Sequence, residues 1–181
     1  PEGYTAIHDI ADLYAIRNNR SGKYILMNDI DMSSTAQGGA YDCGTGWDSI
    51  EEFSGILDGN GYRIVGMEIF GEPAVTRVGL FESISRAEIK NLGIVDCNIN
   101  ITVKTSAYVG AICGYDYRNN INNCYANGKI IVSGKNTDNC YIGGLIGIEA
   151  YYGRWAIENC YNDCEIDGSS LESASGYEPY I

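Results

Sequence analysis

Two aspartates, Asp29 and Asp31, form the Asp-x-Asp pair of this sequence and are the first candidates for acid–base chemistry. Residues two apart in a strand point to the same face, so the two carboxylates could divide the acid and base roles, as in polysaccharide-acting enzymes. The same pattern is explained more simply if both side chains lie on a strand face that is exposed to solvent. We therefore expect no catalytic residue here, and keep a polysaccharide-acting enzyme as the alternative.

His8 is the single histidine of the chain and lies close to its start. A Ser-His-Asp or Cys-His mechanism would have to work through this terminal residue, so we expect a surface or capping role for it. The glycines fall in turns rather than between a strand and a helix, which argues against a phosphate-binding loop. The segment Asp58-Gly59-Asn60-Gly61 is typical of a tight turn, with calcium binding as the alternative.

Seven cysteines are present, and none of them forms a Cys-x-x-Cys pair. Structural zinc sites and thioredoxin-like sites usually need that spacing. Cys160 and Cys164 are close in sequence but have no neighbouring histidine. We therefore expect no metal ion and no other cofactor.

Aromatic and arginine residues are concentrated in two segments, and they are the candidates for ligand binding. Tyrosine, tryptophan and arginine combine flat apolar faces with directional polar groups, a mixture common in protein-binding and sugar-binding surfaces. Packing of the same rings over the edge of the fold is the alternative. The candidate residues are Tyr115, Tyr117, Arg118, Tyr151, Tyr152, Arg154 and Trp155.

The charge balance excludes several classes of partner. Twelve basic residues against 24 acidic ones give a net charge of −12, so nucleic acid and anionic membranes are not expected to bind. No apolar run approaches the roughly 18 residues that would cross a bilayer. The length of 181 residues suits one domain.

Three segments of the chain repeat one pattern, and a fourth follows it less closely. The repeated runs begin at Val78, Val109 and Gly143, continue at Ile89, Ile121 and Ile157, and end near Cys97, Gly128 and Cys164. The fourth copy runs through Phe53-Ser54-Gly55-Ile56 and Ile64-Val65-Gly66-Met67. Equivalent positions recur at intervals of about 25 to 36 residues, with short apolar runs separated by turn residues.

Short strands in such repeats can bury their inward side chains only by stacking. The sequence therefore predicts an all-β right-handed parallel β-helix of about four coils. Stacking would place Gly66, Asn91, Asn123 and Asn159 in one corner column, and Met67, Leu92, Cys124 and Cys160 in the next, inward column.

In the inward column, Cys124 and Cys160 would have Cα atoms about 5 Å apart, within the range for a disulfide. We expect buried thiols there because other copies hold Leu92 and Met67; a disulfide is the alternative. Cys97 and Cys164 share another column with Gly128 between them, so we expect them to be too far apart to pair.

The ends of a β-helix need covering, because unpaired strands aggregate. Asp9 is placed to cap a short helix, so residues 1–48 are expected to form an N-terminal cap and loop. Residues 49–168 would form the stacked coils and residues 169–181 a tail. No C-terminal cap is evident, which leaves end-to-end self-association as a second alternative.

The chain resembles the GLUG-motif proteins, a family of bacterial surface proteins with a pectate-lyase-like β-helix. The likeness rests on the runs VGLF, VGAI and GGLIG, the Ile-x-Asn-Cys-Tyr steps at Ile121 and Ile157, and the segment FSGILDGNG from Phe53. It implies an exported, non-catalytic module with an adhesive or spacer role, located outside the cell or at its surface. The implied partners are a host or microbial surface protein or a glycan, and no catalytic residue carries over.

Overall fold

The computed structural model describes residues 2–137, 139–150 and 156–173, with only the backbone described for residues 136 and 173. In this part of the chain, parallel strands stack into a solenoid of about four coils, joined to one short helical segment. The structure therefore confirms the predicted all-β parallel solenoid.

The elements follow one another in the order of the coils. The first turn contains β1 (Thr5–Ile7), α1 (Ile10–Tyr14), a 3-10 turn (Ala15–Asn18), β2 (Lys23–Leu26), β3 (Ile30–Asp31) and a second 3-10 turn (Ser33–Thr35). Coil 1 contains β4 (Ile56–Asp58), β5 (Arg63–Val65) and β6 (Glu68–Gly71). Coil 2 contains β7 (Arg77–Val78), β8 (Phe81–Ser85), β9 (Glu88–Lys90) and β10 (Gly93–Val103).

The last two coils repeat the arrangement of coil 2. Coil 3 contains β11 (Tyr108–Val109), β12 (Cys113–Tyr117), β13 (Asn120–Asn122) and β14 (Tyr125–Thr137). Coil 4 contains β15 (Tyr141–Ile142), β16 (Ile146–Glu149), β17 (Ile157–Glu158), β18 (Tyr161–Asp167) and β19 (Leu171–Ser173).

The strands form four parallel sheets that run along the solenoid. Sheet A has the order β1-β2-β4-β9-β13-β17, and sheet B the order β3-β5-β10-β14-β18, with β6 and β19 added at its side. Sheet C consists of β8-β12-β16 and sheet D of β7-β11-β15. Each full coil thus has four main strands where the sequence indicated three apolar runs.

The additional strand arises because the first run of each repeat bends at a glycine. A Cβ atom on Gly79 would collide with the carbonyl oxygen of Gly110 on the next coil. Only glycine allows this close approach of two backbones, so the chain turns there from sheet D into sheet C.

A column of asparagines lies at the corner between sheets A and B. Asn91, Asn123 and Asn159 each have φ of 53° and follow paired strands on successive coils. The Asn123 side-chain amide donates to Asn91 Oδ1 at 3.2 Å, and the Asn91 amide donates to Asp58 Oδ1 at 3.1 Å. Asparagine suits this corner because it tolerates left-handed backbone angles and hydrogen-bonds locally.

The predicted register of the first copy was wrong. Asp58 pairs with Lys90, so Asn91 lies next to Gly59 and not next to Gly66. Gly66 instead lies beside Asp96, and Met67 belongs to the column of Cys97 rather than that of Leu92. Gly66 and Asp96 both have positive φ, at 74° and 53°. Coil 2 therefore has two corners with positive φ, at Asn91 and at Asp96, and the sequence pattern confused one with the other.

The solenoid interior is a continuous apolar core, closed at its N-terminal end by α1. The Asp9 side chain accepts hydrogen bonds from the backbone N–H groups of Ala11 and Asp12, which fixes the start of the helix. Leu13 and Ile16 point down onto the core and are completely buried. Burial of a side chain of this size contributes about 1.5–3 kcal/mol.

The stack extends beyond the predicted coil boundaries at both ends. β2 already pairs with β4, and β3 with β5, so stacking begins within the predicted cap of residues 1–48. At the other end, β19 pairs with β14, although it lies in the predicted tail of residues 169–181. The stretch from Ser33 to Asp48 has the expected polar turns, several of them held by the Asp42 carboxylate.

Candidate binding surface

The predicted ligand-binding residues are only partly described by the structure. Tyr115 and Tyr117 lie in β12, so they are strand residues of sheet C and not members of a loop as expected. They pair with Ser83 and Ser85 of β8, and Arg118 follows at the turn with φ of 61°. The other four candidates, Tyr151, Tyr152, Arg154 and Trp155, lie outside the described residues.

Tyr115 belongs to a cluster that the sequence analysis did not identify. Its ring meets that of Tyr108 edge to face at 5.7 Å, and the Arg77 guanidinium lies 4.5 Å from its centroid. Tyr108 in turn stacks on Tyr141 of the next coil, with centroids 5.5 Å apart and planes 6° apart. We call Arg77, Tyr108, Tyr115 and Tyr141 the tyrosine patch.

A sequence signal for the tyrosine patch was present in the repeat. Arg77 and Tyr108 directly precede Val78 and Val109, and the structure pairs Tyr141 with Tyr108 and Ile142 with Val109. The third copy therefore begins at Ile142, one residue before the predicted start at Gly143. Attention to the residue before each apolar run would have found this column.

The tyrosine patch combines several ring edges and hydroxyl groups with one guanidinium. None of its four residues is buried, so they present polar groups at a spacing of about 5 Å along the solenoid. Aromatic pairs also contribute about 0.5–1.5 kcal/mol to stability. The arrangement therefore suits recognition of an extended, hydroxyl-rich or polar partner, while it also supports the fold.

A buried polar pair lies behind the patch in coil 3. Asp116 and Asn119 are each only 2% exposed. The Asn119 amide donates to Asp116 Oδ1 and to the Ile84 carbonyl, and Asn119 Oδ1 accepts from the Ala87 N–H. Burial raises the pKa of Asp116 to about 6, opposed by the Asn119 hydrogen bond and assisted by the nearby charge of Glu149. The pair anchors the turn that carries Arg118.

The two aspartates considered for catalysis have separate partners. Asp29 accepts hydrogen bonds from the Arg63 backbone and guanidinium, and this side-chain hydrogen bond lowers the pKa of Asp29. Asp31 accepts from the Ser33 N–H at 2.8 Å, which lowers its pKa as well. Neither carboxyl group is therefore suited to donate a proton near neutral pH, because a general acid requires a raised pKa.

His8 lies at the start of α1 and is exposed. Its Nδ1 atom is 3.3 Å from the Asp12 carboxylate, and the His8 backbone N–H donates to the same oxygen at 2.9 Å. Asp58 is similarly occupied, since its Oδ1 accepts from the Asn60 N–H as well as from Asn91. Among the described residues, no three His, Cys, Asp or Glu side chains are grouped as a metal site.

All seven cysteines are free thiols. Cys124 and Cys160 lie on adjacent coils, and Cys160 Sγ accepts from the Cys124 backbone N–H at 3.4 Å. The Cys124 thiol also donates to the Asn122 carbonyl group, and the Cys160 thiol donates to the Glu158 carbonyl group.

Cys97 and Cys164 were expected to be separated by the coil between them. Both pair in register with Gly128, as predicted, and both are free thiols. Interaction with Cys164, together with burial, raises the pKa of Cys97, and interaction with Cys97 lowers the pKa of Cys164.

Within the described ranges, the structure has no helix with the length and apolar character needed to cross a membrane.

Comparison with known proteins gives one curated relative. The chain is 34% identical over 162 residues to halomucin of Haloquadratum walsbyi (strain DSM 16790 / HBSQ001), a match that includes 81% of this chain. The chain spans only about 2% of the length of halomucin. No family model matches the chain, and neither does any solved structure. The resemblance to GLUG-motif proteins therefore stays a prediction.

Proposed function

We propose that this chain is a non-catalytic module of an extracellular surface protein, with an adhesive role exercised through the tyrosine patch. Similarity to halomucin supports a surface-associated protein. The solenoid supports the role physically, because stacked coils hold side chains on their outer faces at a regular spacing of about 4.8 Å.

The observation that carries this proposal is the geometry of the tyrosine patch. Tyr108 and Tyr141 stack with parallel rings, and Tyr115 meets Tyr108 at right angles. These contacts limit the rotamers of the rings before any ligand arrives, so little side-chain entropy is lost on binding. The ligand class is a glycan or a protein segment with polar groups along its length. Tyr151, Tyr152, Arg154 and Trp155 remain candidate ligand-binding residues from the sequence alone.

The test is a glycan array, together with binding to purified surface proteins and a screen for polysaccharide cleavage. A triple variant, Tyr108→Phe, Tyr115→Phe and Tyr141→Phe, removes the hydroxyl groups and keeps the rings, so the fold should persist. We expect affinity for any identified ligand to fall about tenfold or more, corresponding to about 1.4 kcal/mol.

Tyr62→Phe is the matched control, since Tyr62 is 37% exposed and lies in the turn between β4 and β5. Its ligand affinity should equal that of the wild type. Unchanged binding in the triple variant would refute a role for the patch. Cleavage of an array polysaccharide by the wild type would instead indicate an enzyme.

A further inference from the structure

Arg77 is an exposed residue of the tyrosine patch, and its guanidinium forms no ion pair within the described part of the chain. Seven other lysine and arginine side chains do pair with a carboxylate. The chain has twice as many acidic as basic residues, so partners for a cation are plentiful. A guanidinium that is left unpaired at a candidate binding surface is therefore available to an anionic group of a ligand.

The Glu82 carboxyl group does not neutralise Arg77. The charge of Arg77 acts to lower the pKa of Glu82, so the two groups lie in the same region, but they form no ion pair. Burial, together with the charges of Glu51 and Asp48, instead raises the pKa of Glu82. A carboxylate that was paired with arginine would have a lowered pKa.

The guanidinium of Arg77 is held in place by Tyr115. It lies 4.5 Å from the centroid of the Tyr115 ring, which itself packs edge to face against Tyr108. A cation–π contact uses the charge of the guanidinium and leaves its N–H groups available as donors. Arginine presents these donors in a planar fork that matches the two oxygens of a carboxylate. Because the ring restricts the arginine side chain, less entropy is lost when a carboxylate binds.

Tyr108 lies next to this cationic position on the following coil. It pairs in register with Arg77, at a distance of about 4.8 Å along the solenoid. A carboxylate bound at Arg77 would therefore bring the rest of its molecule against the Tyr108 ring. Tyrosine offers an apolar ring to the C–H groups of a sugar and a hydroxyl group to its polar edge. The patch thus combines one cationic position with neighbouring aromatic positions.

The net charge of −12 limits how many negative groups a ligand can carry. A polymer with a carboxylate on every unit would gain one contact with Arg77 but would be repelled by the rest of the molecule. A peptide with a single acidic side chain would also reach Arg77, yet it offers few hydroxyl groups to Tyr108 and Tyr115. A glycan with widely spaced carboxylates satisfies both conditions.

We propose that the tyrosine patch binds a glycan in which a carboxylate-bearing sugar alternates with a neutral sugar, with the carboxylate on Arg77 and a sugar ring against Tyr108. This inference rests on the proposed function, and it adds the class of ligand and the residue that selects it. Arg77 determines the preference for an acidic glycan, whereas the tyrosine rings contribute to binding of any glycan.

A matched pair of oligosaccharides tests the role of the carboxylate. The probe is a hyaluronan hexasaccharide, in which glucuronate alternates with N-acetylglucosamine. The control is the same hexasaccharide with each carboxyl group reduced to a primary alcohol. We expect calorimetry on the full chain to show about tenfold tighter binding of the acidic form, since hydrogen bonds to a charged group are the stronger ones. In NMR spectra, the Arg77 Nε–H signal should shift with the acidic form and not with the reduced form.

Two protein variants identify the selecting residue. Arg77→Gln should abolish the preference for the acidic hexasaccharide, while the reduced form should bind as it does to wild type. Lys23→Gln removes the same charge from an exposed position in β2, and it should keep the full preference. Both variants should have the unfolding temperature of wild type, because both side chains are exposed.

The possible outcomes separate this proposal from the proposed function. Equal affinity for the two hexasaccharides, or a preference that survives in Arg77→Gln, would overturn the inference and leave an adhesive role of the patch standing. Binding of neither hexasaccharide would also overturn it, whereas the proposed function is tested by the tyrosine triple variant on the array. Tighter binding of an oligogalacturonate of equal length, or of a glutamate-containing peptide, would show that the ligand is a polyanion or a protein segment instead.

Discussion

Asp116 is a carboxyl group whose ionisation opposes folding. Its pKa in the folded protein is raised to about 6 from an ordinary value of 3.8, chiefly by burial. Below about pH 3 the group is largely protonated in both the folded and the unfolded states, so its contribution is fully present. As the pH rises toward 6 and beyond, the unfolded state releases its proton more readily, and stability falls by up to about 3 kcal/mol.

Substitution of Asp116→Asn removes this ionisation and keeps a hydrogen-bonding partner for Asn119. We expect the free energy of unfolding of the variant, relative to wild type, to increase between pH 4 and pH 7. Urea denaturation at several pH values measures this difference. The other carboxyl groups contribute equally to the stability of wild type and variant, so their contributions cancel in the comparison. Asp29 and Asp31 are among them, and their lowered pKa values make stability rise with pH. Asp163→Asn, at an exposed position, is the control, and parallel curves for Asp116→Asn and wild type would contradict the prediction.

At the residue scale, the sequence predicted which residues stack in one column better than it predicted which side chains interact. The recurrence of Asn91, Asn123 and Asn159 was visible because a corner with positive φ restricts the residue type. The interaction that shifts the pKa values of Cys97 and Cys164 was not visible, because Gly128 of the intervening coil separates the two positions in the repeat.

Among the structural elements, the column of asparagines at the corner between sheets A and B has the clearest contribution to stability. Asn123 combines a left-handed backbone with a hydrogen bond to Asn91. We expect Asn123→Ala to lower the free energy of unfolding by about 1–2 kcal/mol, from backbone strain and the lost hydrogen bond. Asn123→Gly should cost less, because glycine adopts positive φ without strain.

Chemical denaturation of both variants checks this prediction. Asn100→Ala, at an exposed position in β10, serves as the control and should change stability by less than about 0.5 kcal/mol. An equal loss in the alanine and glycine variants at position 123 would show that the hydrogen bond, and not the backbone angle, dominates.

At the element scale, the limits of sequence reasoning lie in the turns. Asp9 marked the start of α1 because capping has a local signature. The first copy was misaligned because its two corners hold Gly59 and Gly66, which look equivalent in sequence. Tyr115 and Tyr117 were taken for a loop, since their polar neighbours hid the strand that neighbouring coils impose on them.

On the scale of the whole molecule, stability should vary along the solenoid. Coils 2 and 3 are covered by neighbours on both sides, whereas coil 4 has neighbours on one side in the described structure. Amide hydrogen exchange should therefore be faster in β17 and β18 than in β13 and β14, because strands of the last coil open locally more often. Mass-spectrometric exchange at several times measures this, with β2 beneath α1 as the protected control. Uniform protection in all coils would contradict the prediction.

The architecture as a whole was predictable, because stacking is the way such short strands can bury their apolar side chains. The candidate site was predicted only in part. Tyr115 was identified from composition, but its partners Arg77 and Tyr108 come from neighbouring strands and require the register.

The helix over the first turn gives the molecule a direction. Leu13 and Ile16 cover the core at the first turn, whereas Ile157 of coil 4 is 45% exposed, so the two ends of the described solenoid are not equivalent.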